Sequence, residues 1–155
     1  MYTSNKPGSV PCACTLVKKL SRVLGRTYDE PLAGTGINIT QLAVVRCIVR
    51  RAGEPLSHIA EELEMDRSSL YRAIAPMVRD GWLEVKAGAD ARSRSAKVTR
   101  NGDRVLAKAG SEWDKVQDHL IGTFGKDSWN ALVGELNRLA DCADSLSSRR
   151  GGHTI

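Results

Sequence analysis

The sequence predicts a mainly α-helical chain that carries one small β hairpin. Three observations lead there. Apolar residues recur at spacings of three and four over long stretches, as in Leu16, Leu20, Val23 and Leu24, which is the stripe of an amphipathic helix. A short alternating run from Trp82 to Val85 is answered by "SAKVT" after the loop "GADARSR", the pattern of two paired strands. Immediately before that hairpin, "LSHIAEELEM" and "DRSSLYRAIAPMVRDGW" read as two helices only a few residues apart, the spacing of a helix-turn-helix.

Length and composition set the frame. The 155 residues suffice for one domain with a core, and 26% charged against 41% hydrophobic residues is ordinary for a globular chain. The formal net charge of +5 suits a polyanionic partner. No apolar run approaches the roughly 18 residues that a membrane span needs. The opening "MYTSNKPGSVP" lacks the basic-then-apolar form of a secretion signal. The expectation is a cytoplasmic protein with no membrane contact.

Taken in order, residues 1–10 have little to bury. From Cys12 to about Leu32 the apolar set is Leu16, Leu20, Val23, Leu24, Tyr28 and Leu32, one helix stripe, ended by "AGTGIN". Thr40 is the expected N-cap of a second helix, with Leu42, Val45, Ile48 and Val49 inward and Cys47 in the core. "RRAGEP" punctuates its end. Ser57 is the expected cap of a third helix facing inward through Ile59, Ala60 and Leu63. Asp66 caps a fourth, with Leu70, Ile74, Met77 and Val78 inward. Pro76 inside that helix removes a backbone donor and predicts a local bend.

The hairpin follows directly, which makes it a wing on the helix-turn-helix. Its stretch "KAGADARSRSAKVTRNG" is basic and rich in small residues. After Gly102 one stripe runs through Val105, Leu106, Ala109, Trp113, Val116, Leu120 and Ile121. "GTFGKDS" interrupts it, and a last stripe runs from Trp129 to Leu146. The end, "SSRRGGHTI", reads as irregular. The whole, 1–155, is expected to be one domain. Residues 37–101 form the winged helix-turn-helix, flanked by helices over 12–33 and 102–147. Those flanking helices leave surplus apolar surface, which two chains can bury against each other.

The chain resembles the MarR family of transcription regulators over about residues 12–147. The resemblance is carried by "DARSRSAKVTRNG", where Asp90, Arg92, Val98, Thr99 and Gly102 fit the family pattern. "GINITQLAVVRCI" and "LSHIAEELEMDRSSLYRAIAPMVRDGWLEV" add to it. Trp82 and Pro76 depart from the usual pattern. The resemblance implies a homodimer with interlaced terminal helices. It also implies binding to a pseudo-palindromic DNA operator, usually as a repressor, with affinity lowered by a small ligand or an oxidant.

On the fourth helix the residues opposite the core face include Arg67, Ser68, Ser69, Tyr71, Arg72 and Ala75. A recognition helix presents such residues to the major groove, where Arg pairs with guanine and hydroxyls suit bases or phosphates. Arg67, Ser69 and Arg72 are the leading contacts. In the wing, Arg92 and Arg94 are candidates for a narrow minor groove. Lys97 and Arg100 suit phosphates or water, and Asp90 suits an ion pair holding the turn.

The cysteines are Cys12, Cys14, Cys47 and Cys142. Their spacing does not fit a zinc site, and neither a metal nor another cofactor is expected. Thiols near a helix start tend toward lower pKa. Some regulators of the resembled family sense hydroperoxide through a first-helix cysteine, so Cys12 or Cys14, with Cys142 as resolving thiol from the other chain, gives a redox-sensing alternative. A thiol enzyme or metal-binding protein is a further alternative. It lacks a recognisable base or ligand set, because His58, His119 and His153 stand apart in sequence. A small aromatic ligand between the flanking helices and the winged core would find Trp113, Tyr28 and His58 as candidate contacts.

Overall fold

The computed structural model describes residues 10–87 and 93–151. Six helices and one hairpin follow in order: α1 (Ala13–Leu32), α2 (Ile39–Arg50), α3 (Leu56–Glu62), α4 (Arg67–Arg79), β1 (Leu83–Ala87), β2 (Arg94–Val98), α5 (Arg100–Phe124) and α6 (Lys126–Gly151). This is the mainly helical, winged helix-turn-helix architecture expected. The chain divides into two compact units, Met1–Asp114 and Lys115–Ile155.

In the first unit the core is built around α2. Leu42, Val44, Cys47, Leu56, Ile59, Leu70, Ile74 and Met77 are each at most 2% exposed. These side chains come from α2, α3 and α4, so the helix-turn-helix closes on one apolar centre. At roughly 25 cal/mol per Å² of apolar surface, this burial is the main force holding the three helices together. Val49 and Val78, expected inside, are exposed. Cys47 is buried as expected, and Val44 is buried in addition to the predicted set, because a central helix is covered on more than one side. Leu63 is half-buried.

Two helix starts differ from expectation. Asn38, not Thr40, caps α2. Its Oδ1 accepts the Gln41 N–H at 2.9 Å, and Gln41 Oε1 accepts the Asn38 N–H at 3.0 Å. This reciprocal pair satisfies two orphan donors at once, which Thr40 two residues on cannot do. Asp29 Oδ1 takes a third, the Ile39 N–H, at 2.7 Å. Ser57 does not cap α3. The helix starts at Leu56 behind Pro55, because Leu56 is needed in the core and Pro55 supplies a preset φ of −58°. Asp66 caps α4 as expected. The helix continues through Pro76 to Arg79, and the Asp80 N–H donates to the Pro76 carbonyl at 2.9 Å.

The hairpin is antiparallel, with Leu83 opposite Val98 and Ala87 opposite Arg94. Its first strand starts at Leu83 rather than Trp82. The Trp82 N–H instead donates to Met77 O at 2.8 Å, closing the turn after α4. An isolated bridge from Pro55 to Ser95 ties the start of α3 to the second strand.

A salt-linked clasp joins the ends of α2 and α3. Glu62 accepts from Arg50 Nη2 at 2.7 Å and from Arg51 Nε. Hydrogen bonds first from Arg50 and then from Arg51 hold its carboxyl down at about 2, against an ordinary 4.5. A depressed native pKa means that the clasp contributes fully above about 4.5 and fades as the pH falls toward about 2. Glu62→Gln is therefore expected to lower Tm modestly at pH 7. Thermal scans should show the gap to wild type closing below pH 4.5. A gap constant down to pH 2 would contradict this.

In the second unit, α5 ends at Phe124 and Gly125 turns the chain at φ 93°. Its N–H donates to Ile121 O at 2.8 Å, and its carbonyl accepts the Trp129 N–H at 2.9 Å. α6 runs on to Gly151, so the predicted irregular end at "SSRR" is helical instead. A helix already under way extends by one hydrogen bond per residue, and Ser and Arg tolerate this. Among its described side chains none is buried. Val133, Leu136, Leu139 and Leu146 form an exposed apolar stripe. In the first unit the N-terminal half of α1 is similar, with Leu16, Val17, Leu20 and Val23 exposed, while Tyr28 and Leu32 at its other end are buried.

Candidate nucleic-acid interface

The exposed face of α4 follows from its buried one. With Leu70, Ile74 and Met77 inward, Arg67, Ser68, Tyr71, Arg72 and Ala75 are exposed and Ser69 is half-buried. The Gln41 side-chain amide donates to Ala73 O at 3.4 Å, helping α2 hold α4 in place. Asp66 organises the first turn. Its carboxylate accepts the Ser69 N–H at 2.8 Å, the Ser69 hydroxyl at 2.6 Å and the Ser68 hydroxyl. These bonds, Ser68 first, hold the Asp66 carboxyl well below the usual carboxylate range. Asp66 therefore belongs to the site as well as capping the helix. Arg72 Nη2 donates to Ser69 Oγ at 2.9 Å.

A cleft of about 300 Å³ lies beside this face. Leu56, Ser57, Arg67, Leu70, Tyr71, Ser93 and Arg94 line it. It brings two predicted sets together, Arg67 and Tyr71 of α4 with Arg94 of the wing. Lys97 is elsewhere: strand alternation puts it on the face opposite to Arg94 and Ala96, across the ladder from Glu84. Asp90 and Arg92 lie outside the described residues. Two guanidinium groups, a phenol and two serines around one concavity can donate many hydrogen bonds to phosphate or base edges. Among the described residues no group of three or more His, Cys, Asp or Glu could hold a metal ion.

The wing is locked to α5 by Thr99. Its hydroxyl donates to Gly81 O at 2.7 Å and accepts the Gly102 N–H at 3.1 Å, while its own N–H donates to Trp82 O at 3.0 Å. Gly36, at φ 82°, passes against the Trp82 ring, where a Cβ would sit 3.0 Å from Cη2.

The other candidates separate. Tyr28 and Trp113 stack with centroids 6.4 Å apart, and the Arg46 guanidinium lies 4.0 Å over the Trp113 ring. Arg46 was not foreseen, because its aromatic partner is distant in sequence. His58 instead pairs with Glu54, its Nδ1 3.4 Å from Glu54 Oε2. Cys12, Cys14 and Cys142 are exposed and Cys47 is buried. The Thr15 amide, then its hydroxyl and the Cys14 amide, draw the Cys12 thiol below its ordinary pKa. Burial pushes the Cys47 thiol up.

Residues 42–87 match the family model of the IclR helix-turn-helix domain. No curated protein matches the chain significantly. Among solved structures, a MarR mutant from E. coli complexed with operator DNA is similar at 20% identity and TM-score 0.73, covering 81% of this chain and 91% of that one. A MarR-family regulator from Rhodococcus is similar at 16% identity and TM-score 0.69, over 83% and 93%. These two share the fold. The transcriptional regulator MosR of M. tuberculosis, crystallised with DNA, reaches 30% identity and TM-score 0.79, over 88% of this chain and 98% of that one. The chain belongs to the MarR family. It is a winged-helix, DNA-binding transcription regulator. For a MarR-family chain, α4 is the helix-turn-helix's second helix and the hairpin its wing, so the cleft lies between these two elements. Among the described residues no single helix is long and apolar enough to cross a membrane.

Proposed function

We propose that the protein is a homodimer that binds a pseudo-palindromic operator sequence-specifically and represses transcription until a small ligand releases it. The observation that carries this reading is the cleft where Arg67 and Tyr71 of α4 meet Arg94 of the wing. One docking event then places α4 in the major groove and the wing at the adjacent minor groove. Arg67, Ser68, Ser69, Tyr71 and Arg72 read or position on the duplex. Arg92 and Arg94 enter the minor groove, and Lys97 meets phosphate. The exposed stripes on α1 and α6 supply the dimer surface. An aromatic ligand at Tyr28 and Trp113 would have to rearrange their existing stack with Arg46.

The test is a footprint on the protein's own promoter, repeated with candidate aromatic ligands. Arg72→Ala is expected to weaken operator binding by about 1–3 kcal/mol and to relax specificity at one base position of each half-site. Arg94→Ala should weaken all duplexes alike and flatten the salt dependence by about one unit of slope per half-site. Unchanged affinity in both variants at moderate salt would refute the DNA roles of these residues.

A second reading concerns how DNA is released. The exposed Cys12, with its thiol drawn toward thiolate beside exposed Cys14, favours oxidation by a peroxide. The thiolate would take one peroxide oxygen to become a sulfenic acid. A second thiol, Cys142 of the other chain, would displace water to form a disulfide. Peroxide should then release DNA from wild type but not from Cys12→Ser or Cys142→Ser. Equal release in all three would exclude it.

A further inference from the structure

The first turn of α4 holds a directed hydrogen-bond chain. Asp66 Oδ2 accepts the Ser69 hydroxyl at 2.6 Å, and Ser69 Oγ accepts Arg72 Nη2 at 2.9 Å. Asp66 Oδ1 accepts the Ser68 hydroxyl and, at 2.8 Å, the Ser69 N–H. A serine hydroxyl has one proton and two lone pairs. Ser68 and Ser69 have both spent that proton on Asp66. Toward everything else they are acceptors, and a guanidinium is the partner an acceptor at Ser69 selects. We propose that Asp66 is a positioning residue for DNA reading: by fixing the Ser68 and Ser69 protons it makes Ser69 hold the Arg72 guanidinium, and so sets operator specificity through a residue that need not touch DNA.

This rests on α4 being the recognition helix. Arg72 keeps four of its five N–H donors for guanine O6 and N7. Because its orientation exists before binding, less side-chain freedom is lost when it docks. The exposed Ser68 oxygen can accept from a base amino group but cannot donate to a phosphate. Simple charge arithmetic predicts the opposite effect for Asp66. An acid at the edge of a polyanion interface repels phosphate, so its removal should tighten binding to every sequence.

The two expectations differ in sign, and Asp66→Asn separates them. Asn caps a helix as well as Asp, and its carbonyl can still accept the Ser69 N–H, so the fold is retained. Its amide nitrogen is a donor and cannot take the Ser69 proton. Affinity is measured for the footprinted operator and for a scrambled duplex of equal length at one salt concentration, alongside Tm. Asp66→Asn is expected to keep Tm within a few degrees and lose about tenfold in operator affinity. Its affinity for the scrambled duplex should be unchanged or slightly tighter. Ser69→Ala, which keeps the Asp66 cap, should show the same loss, and the double variant should add nothing further. Operator binding by Asp66→Asn at or above the wild-type level would overturn the proposal. So would full operator affinity in Ser69→Ala, or losses that multiply in the double variant. If wild type itself bound both duplexes equally, the reading of α4 as recognition helix would fail instead.

Discussion

Gly102→Ala is expected to cost about 3 kcal/mol or more of stability, lowering Tm by about 10 °C. The added Cβ would sit 2.2 Å from the Trp82 carbonyl oxygen, 2.8 Å from Val98 Cγ1 and 3.0 Å from the Trp82 carbonyl carbon. None of these can swing aside as a flexible side-chain tip would. The Trp82 oxygen is the acceptor for the Thr99 N–H at 3.0 Å, and Thr99 in turn caps the Gly102 N–H. Relief requires moving the first turn of α5 away from the base of the wing, which breaks those bonds and shifts Val98. The sign makes the prediction sharp, because Gly to Ala inside a helix ordinarily stabilises by up to about 1 kcal/mol. Gly134→Ala in α6 is the control, since nothing lies within 4 Å of its added Cβ. Urea unfolding of both variants decides it. Equal midpoints for Gly102→Ala and Gly134→Ala would refute the close-approach argument.

The same junction shows what the sequence could and could not reveal. Thr99 and Gly102 were readable as the route from wing to helix, and the resemblance rested partly on them. That Gly102 is required by the backbone of Trp82 depends on a contact across the turn, which no periodicity encodes. Local chemistry was readable where it was self-contained. Asp66 caps α4, and the period-two alternation already separates Arg94 from Lys97 once the register is known. The start of α2 was misplaced because Asn38 and Thr40 are both good caps. Gln41, three residues after Asn38, breaks the tie. Ser57 failed as a cap because the burial of Leu56 outweighs one side-chain hydrogen bond. The cleft, and the seat of Arg46 over Trp113, join residues far apart in sequence and needed the fold.

The apolar stripes outside the core lead to the other large effect. Leu16, Val17, Leu20 and Val23 on α1, and Val133, Leu136, Leu139 and Leu146 on α6, are exposed in the single chain. A monomer rarely leaves such contiguous surface in water. Burying one Leu or Val of this kind stabilises by about 1.5–3 kcal/mol, so a few of them together can hold two chains. Leu20→Glu places a carboxylate at the centre of the α1 stripe, where burial without a partner costs several kcal/mol. The core side chains Leu32, Leu42, Leu70 and Met77 keep their identity, so helix content should persist. The expected results are a monomer at micromolar concentration in sedimentation and a loss of about a hundredfold or more in operator affinity. The second figure follows because one winged head no longer delivers the other to its half-site. Leu136→Glu on α6 should do the same. Scrambled duplex bound by a single head should be affected far less, which separates lost dimerisation from lost folding. A Leu20→Glu protein that stays dimeric, or a wild type that sediments as a monomer, would sink this assignment of the stripes. The α4 face and the wing would then have to be tested as a single-headed DNA reader.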